Sequence, residues 1–495
     1  MKSWRGVPVL VSVLSGLVVG CGPVPEGGVG EEERAVQEEE LVAGEWEVCD
    51  DVASQVLGIP PGRVNTGGTF PAPVHGNGRL FFRASDLEHG EELWSATESG
   101  VAALVKDVNP RSGGSHPRSL TVLGRWVYFV ADDGEHGPEL WRTDGTAKRT
   151  ELVKDIFAGR GGSVPEQLTV VGDTLYFTAI TRELGRELWR SNGTARGTVL
   201  VRDFAPGEDW VNIEHLTAWD DGLSLVTSRW DRPPVLWRVD KQGRTFPLFT
   251  MGFGTILELE AAGRQLFFTA DAGTDEADLW VTRSTPETAT WLRHFPGEPA
   301  AYLTAMEDSV FFVAGGEGFT PGDPLHGAEL WTSDGTVRGT RLVRDINPGP
   351  KSAFSLLEST PQFATTKGVL YFAADDGGHG RELWRSDGTP WGTWMVRDLV
   401  PGEGSGAPEQ LSADSGQVFF SAATPASGRE PWSSGGHFWD TKPLRDIAPG
   451  TASSNPSHFV RSGWEVFFIA NEGTADQRLW SVPVRPTRSC GERTR

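Results

Sequence analysis

Nine tryptophans recur along the chain at nearly constant intervals, and this regularity is the strongest constraint on its fold. Successive tryptophans are separated by 47, 48, 48, 43, 51, 53, 48 and 48 residues. A steady period of about 40 to 50 residues is typical of repeat architectures, in which each unit buries its apolar surface against its neighbours. The repeated positions are Trp94, Trp141, Trp189, Trp237, Trp280, Trp331, Trp384, Trp432 and Trp480.

The unit around Trp141 is predicted to form four short strands, at Ser119–Leu123, Arg125–Ala131, Glu139–Thr143 and Thr150–Asp155. Alternation along the third strand puts Leu140 and Trp141 on opposite faces, and Gly145 follows in a tight turn that favours a positive φ. Four antiparallel strands in each repeat predict an all-β fold, a single large β-propeller of about nine four-stranded blades. The copies around Trp237 and Trp280 are degenerate, so eight blades is the alternative.

The two ends of the repeat region are expected to meet. The ninth unit ends at Leu479–Pro483 without a clear fourth strand, and Glu47–Val52 resembles the corresponding strand Leu104–Val108 of the first unit. We expect this N-terminal segment to complete the ninth blade. In an exported protein, a disulfide between Cys49 and Cys490 would lock the closure, since a closed ring lets both ends approach within bonding distance. Two unpaired thiols are the alternative.

The N-terminus has the pattern of an export signal. The apolar stretch Val7–Val19 is too short to span a membrane comfortably, and it leads into Leu-Val-Val-Gly before Cys21. This sequence resembles the bacterial lipobox, which implies a signal peptide at residues 1–20 and a lipid group on Cys21. Gly22 follows the cysteine, so an outer-membrane destination is preferred. The alternative is an ordinary secretory signal that is cleaved nearby.

Residues 21–44 are predicted to be a disordered acidic tether, because they combine Gly and Glu with no aromatic residue. The propeller body is then expected at residues 45–492. The formal net charge of −22 argues against nucleic acid as a partner, which would need a basic surface. We therefore expect a lipid-anchored monomer in the bacterial cell envelope, at the periplasmic face of the outer membrane or the cell surface.

The repeat itself carries a recognisable motif. Glu-Leu-Trp-x-x-Asp-Gly-Thr stands intact at 139–146, 329–336 and 382–389, and at 187–194 with Asn192 in place of Asp. With these copies the chain resembles the ELWxxDGT repeat family of secreted bacterial proteins, over about residues 79 to 482. The resemblance implies a propeller-like repeat and carries no general activity with it.

Common catalytic motifs are not found in the sequence: it has no His-Glu-x-x-His, Gly-x-Ser-x-Gly, Walker-type loop or Cys-x-x-Cys. The prediction is a protein that is not an enzyme, with no catalytic residue, metal or cofactor. Asp132-Asp133-Gly134 and Asp375-Asp376-Gly377 are either calcium ligands or ordinary hairpin turns, and turn chemistry is preferred. Repeated histidines could ring a channel and bind metal, or satisfy polar groups within their own blades, which is preferred; these are His89, His136, His326 and His379.

The acids of the repeat are expected to accept backbone hydrogen bonds, because a structural bond recurs in every blade whereas catalysis needs one asymmetric constellation. Besides the motif glutamates, they are Asp107, Asp155, Asp203, Asp345, Asp398 and Asp446. A specific site should therefore lie where the pattern fails. The degenerate segment 209–255 offers Trp210, Trp219 and Trp230, which either stack on sugars or pack the irregular blades.

The function predicted from these observations is a non-catalytic binding or interaction scaffold for an extracellular protein or glycan. The alternatives are a propeller-based enzyme that acts on polysaccharide and a purely structural envelope protein. A pocket in which an acid, a histidine and an arginine converge outside the repeat pattern would favour the enzyme.

Overall fold

The computed structural model divides the chain into Met1–Gly44 and Glu45–Arg495. It describes residues 46–48, 53–57, 72–110, 113–206, 211–271, 277–283, 289–295, 298–315, 326–354, 361–474 and 476–486. The predicted lipidation site Cys21 and the predicted disulfide partners Cys49 and Cys490 lie outside these residues. Within them, no helix is long and apolar enough to cross a membrane.

The body is a nine-bladed β-propeller of antiparallel sheets, and in the first eight blades the four strands follow one another in sequence. The first three blades contain β3 (Val74–Gly76), β4 (Arg79–Asp86), β5 (Gly90–Ala96) and β6 (Ala102–Lys106); β7 (Arg118–Leu123), β8 (Trp126–Asp132), β9 (Pro138–Thr143) and β10 (Glu151–Lys154); and β11 (Glu166–Val171), β12 (Thr174–Thr181), β13 (Gly185–Ser191) and β14 (Val199–Arg202). Ala147–Arg149 forms a short 3₁₀ helix.

The degenerate copies also form complete blades, so the eight-blade alternative is wrong. Blades 4 to 6 contain β15 (Asn212–Trp219), β16 (Gly222–Arg229), β17 (Arg232–Val239) and β18 (Thr245–Thr250); β19 (Thr255–Ala262), β20 (Gln265–Asp271), β21 (Ala277–Arg283) and β22 (Thr290–His294); and β23 (Glu298–Met306), β24 (Ser309–Gly315), β25 (Glu329–Ser333) and β26 (Arg341–Arg344).

The last three blades return to the starting point. They contain β27 (Ala364–Thr366), β28 (Val369–Asp375), β29 (Arg381–Ser386) and β30 (Trp394–Arg397); β31 (Glu409–Asp414), β32 (Gln417–Thr424), β33 (Gly428–Ser434) and β34 (Lys442–Pro443); and β35 (Ser457–Ser462), β36 (Glu465–Asn471) and β37 (Gln477–Pro486), joined by β1 (Trp46–Val48) and β2 (Ser54–Gln55).

Terminal-strand closure is confirmed, but its register differs from the prediction. Gln55 pairs with Trp480 as Leu104 pairs with Trp94 in blade 1, so β2 takes the repeat position. The strand β1 pairs farther along β37, with Val48 opposite Val484. The reason is packing: buried Val56 joins the core shared by blades 9 and 1, which fixes the register about eight residues later than expected.

The core lies between blades. Trp141 packs with Phe81 and Val105 of blade 1, whereas Leu140 packs with Phe177 of blade 3. Because successive side chains of a strand point to opposite faces, one Leu-Trp pair serves both neighbours of its blade, as the alternation predicted. This explains why Leu-Trp recurs in eight blades and Pro431-Trp432 takes its place in blade 8.

First strands of neighbouring blades contact one another, including β3 with β35 across the closure, so these strands form the inner wall of the ring. The turns after first strands and the turns after third strands lie on the same side of the meander. Asn77 Nδ2 in a first-strand turn donates to the Asp144 carbonyl in a third-strand turn of the next blade, at 2.8 Å. We call this side the turn face; turns after second strands lie on the opposite face.

Candidate functional site

In the described part of the chain, six of the nine repeated tryptophans lie against a basic side chain of the preceding blade. Lys106 Nζ lies 5.8 Å from the Trp141 ring centroid and donates to the Thr150 carbonyl at 2.9 Å. Trp141 is buried, so the ring and the cation join two blades. The same arrangement pairs Lys154 with Trp189, Arg202 with Trp237, Arg293 with Trp331, Arg344 with Trp384 and Arg445 with Trp480.

The motif glutamates are fully buried and bind backbone. Glu139 accepts hydrogen bonds from the N–H of Phe157 at 3.0 Å and of Ser163 at 2.8 Å, in the loop that leads to the next blade. Burial raises the pKa of Glu329 to about 8 and that of Glu187 to about 7. The carboxyl–loop contact recurs in the six blades that have this glutamate, so the geometry assigns these acids to structure; they are Glu92, Glu139, Glu187, Glu329, Glu382 and Glu430.

The repeated histidines bind within their own blades. His136 Nδ1 lies 2.8 Å from Asp133 Oδ2, and Asp133 Oδ1 accepts the backbone N–H of His136 at 2.9 Å. The hydrogen bond to Asp133 raises the pKa of His136. His89 and His379 repeat this contact with Asp86 and Asp376, whereas His326 lies 3.0 Å from Asp345.

The Asp-Asp-Gly segments also serve their turns. Asp132 Oδ1 accepts the N–H of Gly134 at 2.7 Å, and Asp133 Oδ1 accepts that of Glu135 at 2.9 Å. In the described ranges, no group of three or more His, Cys, Asp or Glu side chains is placed to hold a metal ion. These bonds favour turn chemistry for the segments.

Only some of the recurring aspartates accept the backbone hydrogen bonds that were predicted for them. Asp203 Oδ1 accepts the N–H of Ala205 at 3.0 Å, and Asp446 Oδ2 accepts that of Gly450 at 3.4 Å. Asp398 Oδ2 likewise accepts the N–H of Gly402 at 3.4 Å. Four of the recurring aspartates nevertheless have a buried Oδ1 atom that accepts no hydrogen bond: Asp107, Asp155, Asp345 and Asp398. Asp345 also adds to the raised pKa of Glu329, after burial itself.

The degenerate segment does not gather its aromatic residues into a site. Trp219 is buried beneath Arg238, whose guanidinium lies 4.8 Å from the ring centroid, so it packs. Trp230 is 82% exposed in a turn on the opposite face. Trp210 lies outside the described residues.

A cleft of about 560 Å³ opens instead on the turn face, where blades 8, 9 and 1 meet. Its size lies within the range of small-ligand sites. We call it the closure cleft, and its lining residues are His75, Ser412, Asp414, Ser415, Phe459, Val460, Arg461 and Gly463.

Arg461 is the centre of the polar contacts in the closure cleft. Its Nη1 donates to Asp414 Oδ2 at 2.9 Å and to Ser415 Oγ at 2.6 Å, and its Nε donates to the Gly463 carbonyl at 3.0 Å. These bonds tie blade 9 to blade 8 and hold the guanidinium in one orientation. A fixed, planar donor of this kind suits recognition of a polar ligand.

His75 brings an imidazole from blade 1 to the same cleft. Its Nδ1 lies 2.7 Å from Ser462 Oγ, and Ser462 is buried while His75 itself is exposed. The opposite edge of the imidazole is therefore available to a ligand. Three blades thus contribute an acid, a guanidinium and an imidazole to one opening.

These residues depart from the repeat. His75 and Arg461 are the penultimate residues of their first strands, where six blades have Val or Ala and one has Thr365. Asp414 is the last residue of its first strand, where blades 2 to 6 have apolar residues. The sequence-based prediction missed this site, although alignment of the nine first strands contains the signal.

No protein-family model matches the chain, and neither does any curated protein. Among solved structures, it is similar to a puromycin hydrolase, with 13% identity and a TM-score of 0.37, over 73% of this chain and 59% of the other. It is similar to the β-propeller domain of the Trilobed protease from Pyrococcus furiosus, with 13% identity and a TM-score of 0.36, over 67% and 98%. An oligogalacturonate lyase in complex with manganese matches with 12% identity and a TM-score of 0.38, over 69% and 97%.

These structures correct the prediction that the chain is not an enzyme. The matched chains come from hydrolases, peptidases and a lyase, with TM-scores of 0.37 to 0.38. At this level of identity the likeness shows the fold alone and assigns no activity. The chain spans 59% of the length of the puromycin hydrolase it matches.

Proposed function

We propose that this chain is a lipid-anchored protein of the bacterial cell envelope whose propeller binds an extracellular protein or glycan at the closure cleft. The observation that carries the proposal is the convergence of His75, Asp414 and Arg461 at repeat positions that are apolar in most other blades. Residues with a structural role would recur in every blade, whereas residues that bind one ligand need to occur only once in the ring.

The geometry of the closure cleft supports a binding role. Side chains with donors and acceptors converge from three blades, and Phe459 adds an apolar wall. The contacts of Arg461 and His75 position these groups before a ligand arrives, which lowers the entropy lost on binding. Rigid placement on neighbouring strands is what a specific site requires.

Anchoring rests on the sequence around Cys21, and membership of the ELWxxDGT family on the motif copies. Metabolic labelling with a fatty-acid analogue tests the anchor. The wild-type chain is expected to carry the label and sediment with membranes, and Cys21→Ser is expected to lose both. Labelling that survives this substitution would contradict the anchor.

Binding can be tested with the full chain carrying Cys21→Ser, applied to a glycan array. A photo-crosslinking residue at Ser412, in the chain expressed in its own cells, detects a protein partner. Arg461→Ala is expected to weaken either interaction about tenfold or more, because a buried polar contact at a hot spot contributes roughly 1.4 kcal/mol or more.

The matched control is Arg244→Ala, which removes an exposed arginine in an ion pair with Asp240 away from the cleft. This variant is expected to bind like the parent chain. Equal binding by the parent and Arg461→Ala, or neither an array signal nor a crosslink, would contradict the proposed site.

An enzyme that acts on polysaccharide is the second candidate, favoured by the same convergence of acid, imidazole and guanidinium. Incubating the chain with polysaccharides and measuring new reducing ends and unsaturated products tests it. Product formation that His75→Ala and Asp414→Ala abolish would establish catalysis at the cleft.

A further inference from the structure

Four exposed aromatic side chains lie on the hairpins that join the third and fourth strands of blades 7 and 8. Trp391 is 93% exposed and Trp439 is 79% exposed, values unusual for tryptophan. Phe438 and Trp394 flank them. We call these four residues the aromatic rim.

The aromatic rim departs from the repeat, as the closure cleft does. Trp391 and Trp439 occupy the fourth position after the turn Asp or its replacement, where blades 2, 3 and 6 have Lys148, Arg196 and Arg338. Two neighbouring blades have thus replaced an exposed cation with a large apolar ring. Exposed aromatic surface of this kind marks interaction sites.

Three of the four rings of the aromatic rim are supported from one side. The His437 ring stacks on Trp439 at 4.6 Å with an interplanar angle of 16°, and the Arg397 guanidinium lies 4.8 Å from the Phe438 ring centroid. Arg385 lies 4.6 Å from the Trp394 ring centroid. Support from one side leaves the other face of these three rings available for stacking, and Trp391 is almost fully exposed.

The turn that carries Trp391 is itself rigid. Thr389 donates through its N–H and its hydroxyl to Asp387 Oδ1, and the N–H of Gly392 donates to Thr389 Oγ1 at 2.9 Å. Pro390 further limits the backbone. The indole is therefore presented in a fixed place, which reduces the entropy lost on binding.

Two observations select the ligand. The two tryptophans stand at equivalent positions of neighbouring blades, and a polymer with repeating rings offers one ring to each. The chain has a formal net charge of −22, and the rim has uncharged rings where other blades have cations, so an anionic polymer is disfavoured. Sugar rings present C–H faces that stack on indoles.

We propose that the aromatic rim binds a neutral polysaccharide by stacking sugar rings on Trp391 and Trp439. It lies on the same turn face as the closure cleft. The inference extends the proposed function and specifies a ligand class for that face, but its contacts are independent of the cleft.

The test is affinity electrophoresis of the full chain with Cys21→Ser in native gels that contain hydroxyethylcellulose, xylan, laminarin or amylopectin. Gels with alginate or polygalacturonate provide the anionic comparison. We expect retardation by at least one neutral polymer. Trp391→Ala and Trp439→Ala are each expected to weaken binding about tenfold, and the double variant more.

The matched control is Trp230→Ala, which removes an equally exposed tryptophan from the opposite face. It should not alter retardation. Arg461→Ala separates the two proposals: if the rim variants lose retardation and Arg461→Ala does not, the aromatic rim binds the polysaccharide independently of the closure cleft, and the array and crosslinking experiments decide the cleft.

Three results would overturn the rim as a polysaccharide site. They are no retardation by any neutral polymer, retardation that the double rim variant retains, and retardation by the anionic polymers alone. Sedimentation velocity covers a fourth outcome: a dimer of the parent chain that the double variant abolishes would identify the rim as a self-contact instead.

Discussion

Replacing the buried glutamate of one blade should loosen the loop that leads to the next blade. In Glu139→Ala, the N–H groups of Phe157 and Ser163 and the Ser163 hydroxyl all lose their acceptor. Ser163 is fully buried, so water has poor access to the donors left behind. The change removes the contact that each copy of the motif makes.

The loss of stability in Glu139→Ala depends on the number of hydrogen-bond donors that are left without an acceptor. Each buried donor left unpaired costs about 1–3 kcal/mol. Burial raises the pKa of Glu139, which shows that the carboxyl is itself unfavourable to bury, and its removal offsets part of the loss. We therefore expect Glu139→Ala to destabilise the loop by about 3–5 kcal/mol.

Glu187 provides the internal comparison. Among the described residues it accepts one backbone hydrogen bond, from the N–H of Phe204 at 2.8 Å, and its Oε1 accepts none. Glu187→Ala should therefore destabilise its blade by only about 1–2 kcal/mol. The two variants remove the same atoms and differ in the number of donors left unpaired.

Native-state hydrogen exchange read by mass spectrometry measures the effect where it occurs. In Glu139→Ala, the amides of Phe157 and Ser163 should exchange at least about a hundredfold faster, since about 1.4 kcal/mol corresponds to a factor of ten. In Glu187→Ala, the Phe204 amide should change about tenfold. Equal increases in exchange rate in the two variants, or an increase below tenfold at Ser163, would refute the argument that the loss of stability depends on the number of unpaired donors.

Three further predictions follow from the same contacts. Burial holds the pKa of Glu329 at about 8 in the folded chain, above its value of 4.5 when unfolded. The contribution of Glu329 to stability is therefore complete below about pH 4.5 and is lost as pH rises towards 8. Urea unfolding should show a free energy of unfolding that falls by roughly 3–5 kcal/mol over this range, and by less in Glu329→Gln. Lys154→Met removes the charged donor 2.8 Å from the Thr198 carbonyl and should destabilise the chain by about 1–2 kcal/mol in thermal melts, whereas Lys154→Arg should retain most of the stability. Mass spectrometry without reduction should find a peptide pair linked through Cys49 and Cys490, and two alkylated thiols would contradict the disulfide.

Repetition made most of the fold predictable. The strands of blade 2 begin and end within one residue of the predicted positions, because turn residues and apolar runs recur in register with Trp141. The φ of +93° at Gly145 likewise follows from the turn that its blade needs. Because nine copies share one pattern, the strand positions can be predicted even where a single copy departs from it.

The strand that closes the ring could not be placed by comparing repeated copies. It has one copy, and both Val48 and Val56 could fill the buried position of a fourth strand. Packing against Leu80 and Phe82 of blade 1 selects Val56, and Arg445 donates to the Ala53 carbonyl as its counterparts do to other fourth strands. Arg445 and Ala53 are 392 positions apart, and the core around Val56 also includes Phe467 and Leu479, so local pattern carries no information about these contacts.

The closure cleft was hidden for a related reason. His75 and Arg461 are 386 residues apart in sequence and meet only because the ring closes between blades 9 and 1. A search for short catalytic motifs cannot find such a pair. A comparison of equivalent positions can, since both residues stand where the first strands of most other blades have small apolar side chains. In a repeat protein the shared residues build the blades, so the positions at which single copies differ are the ones to test for function.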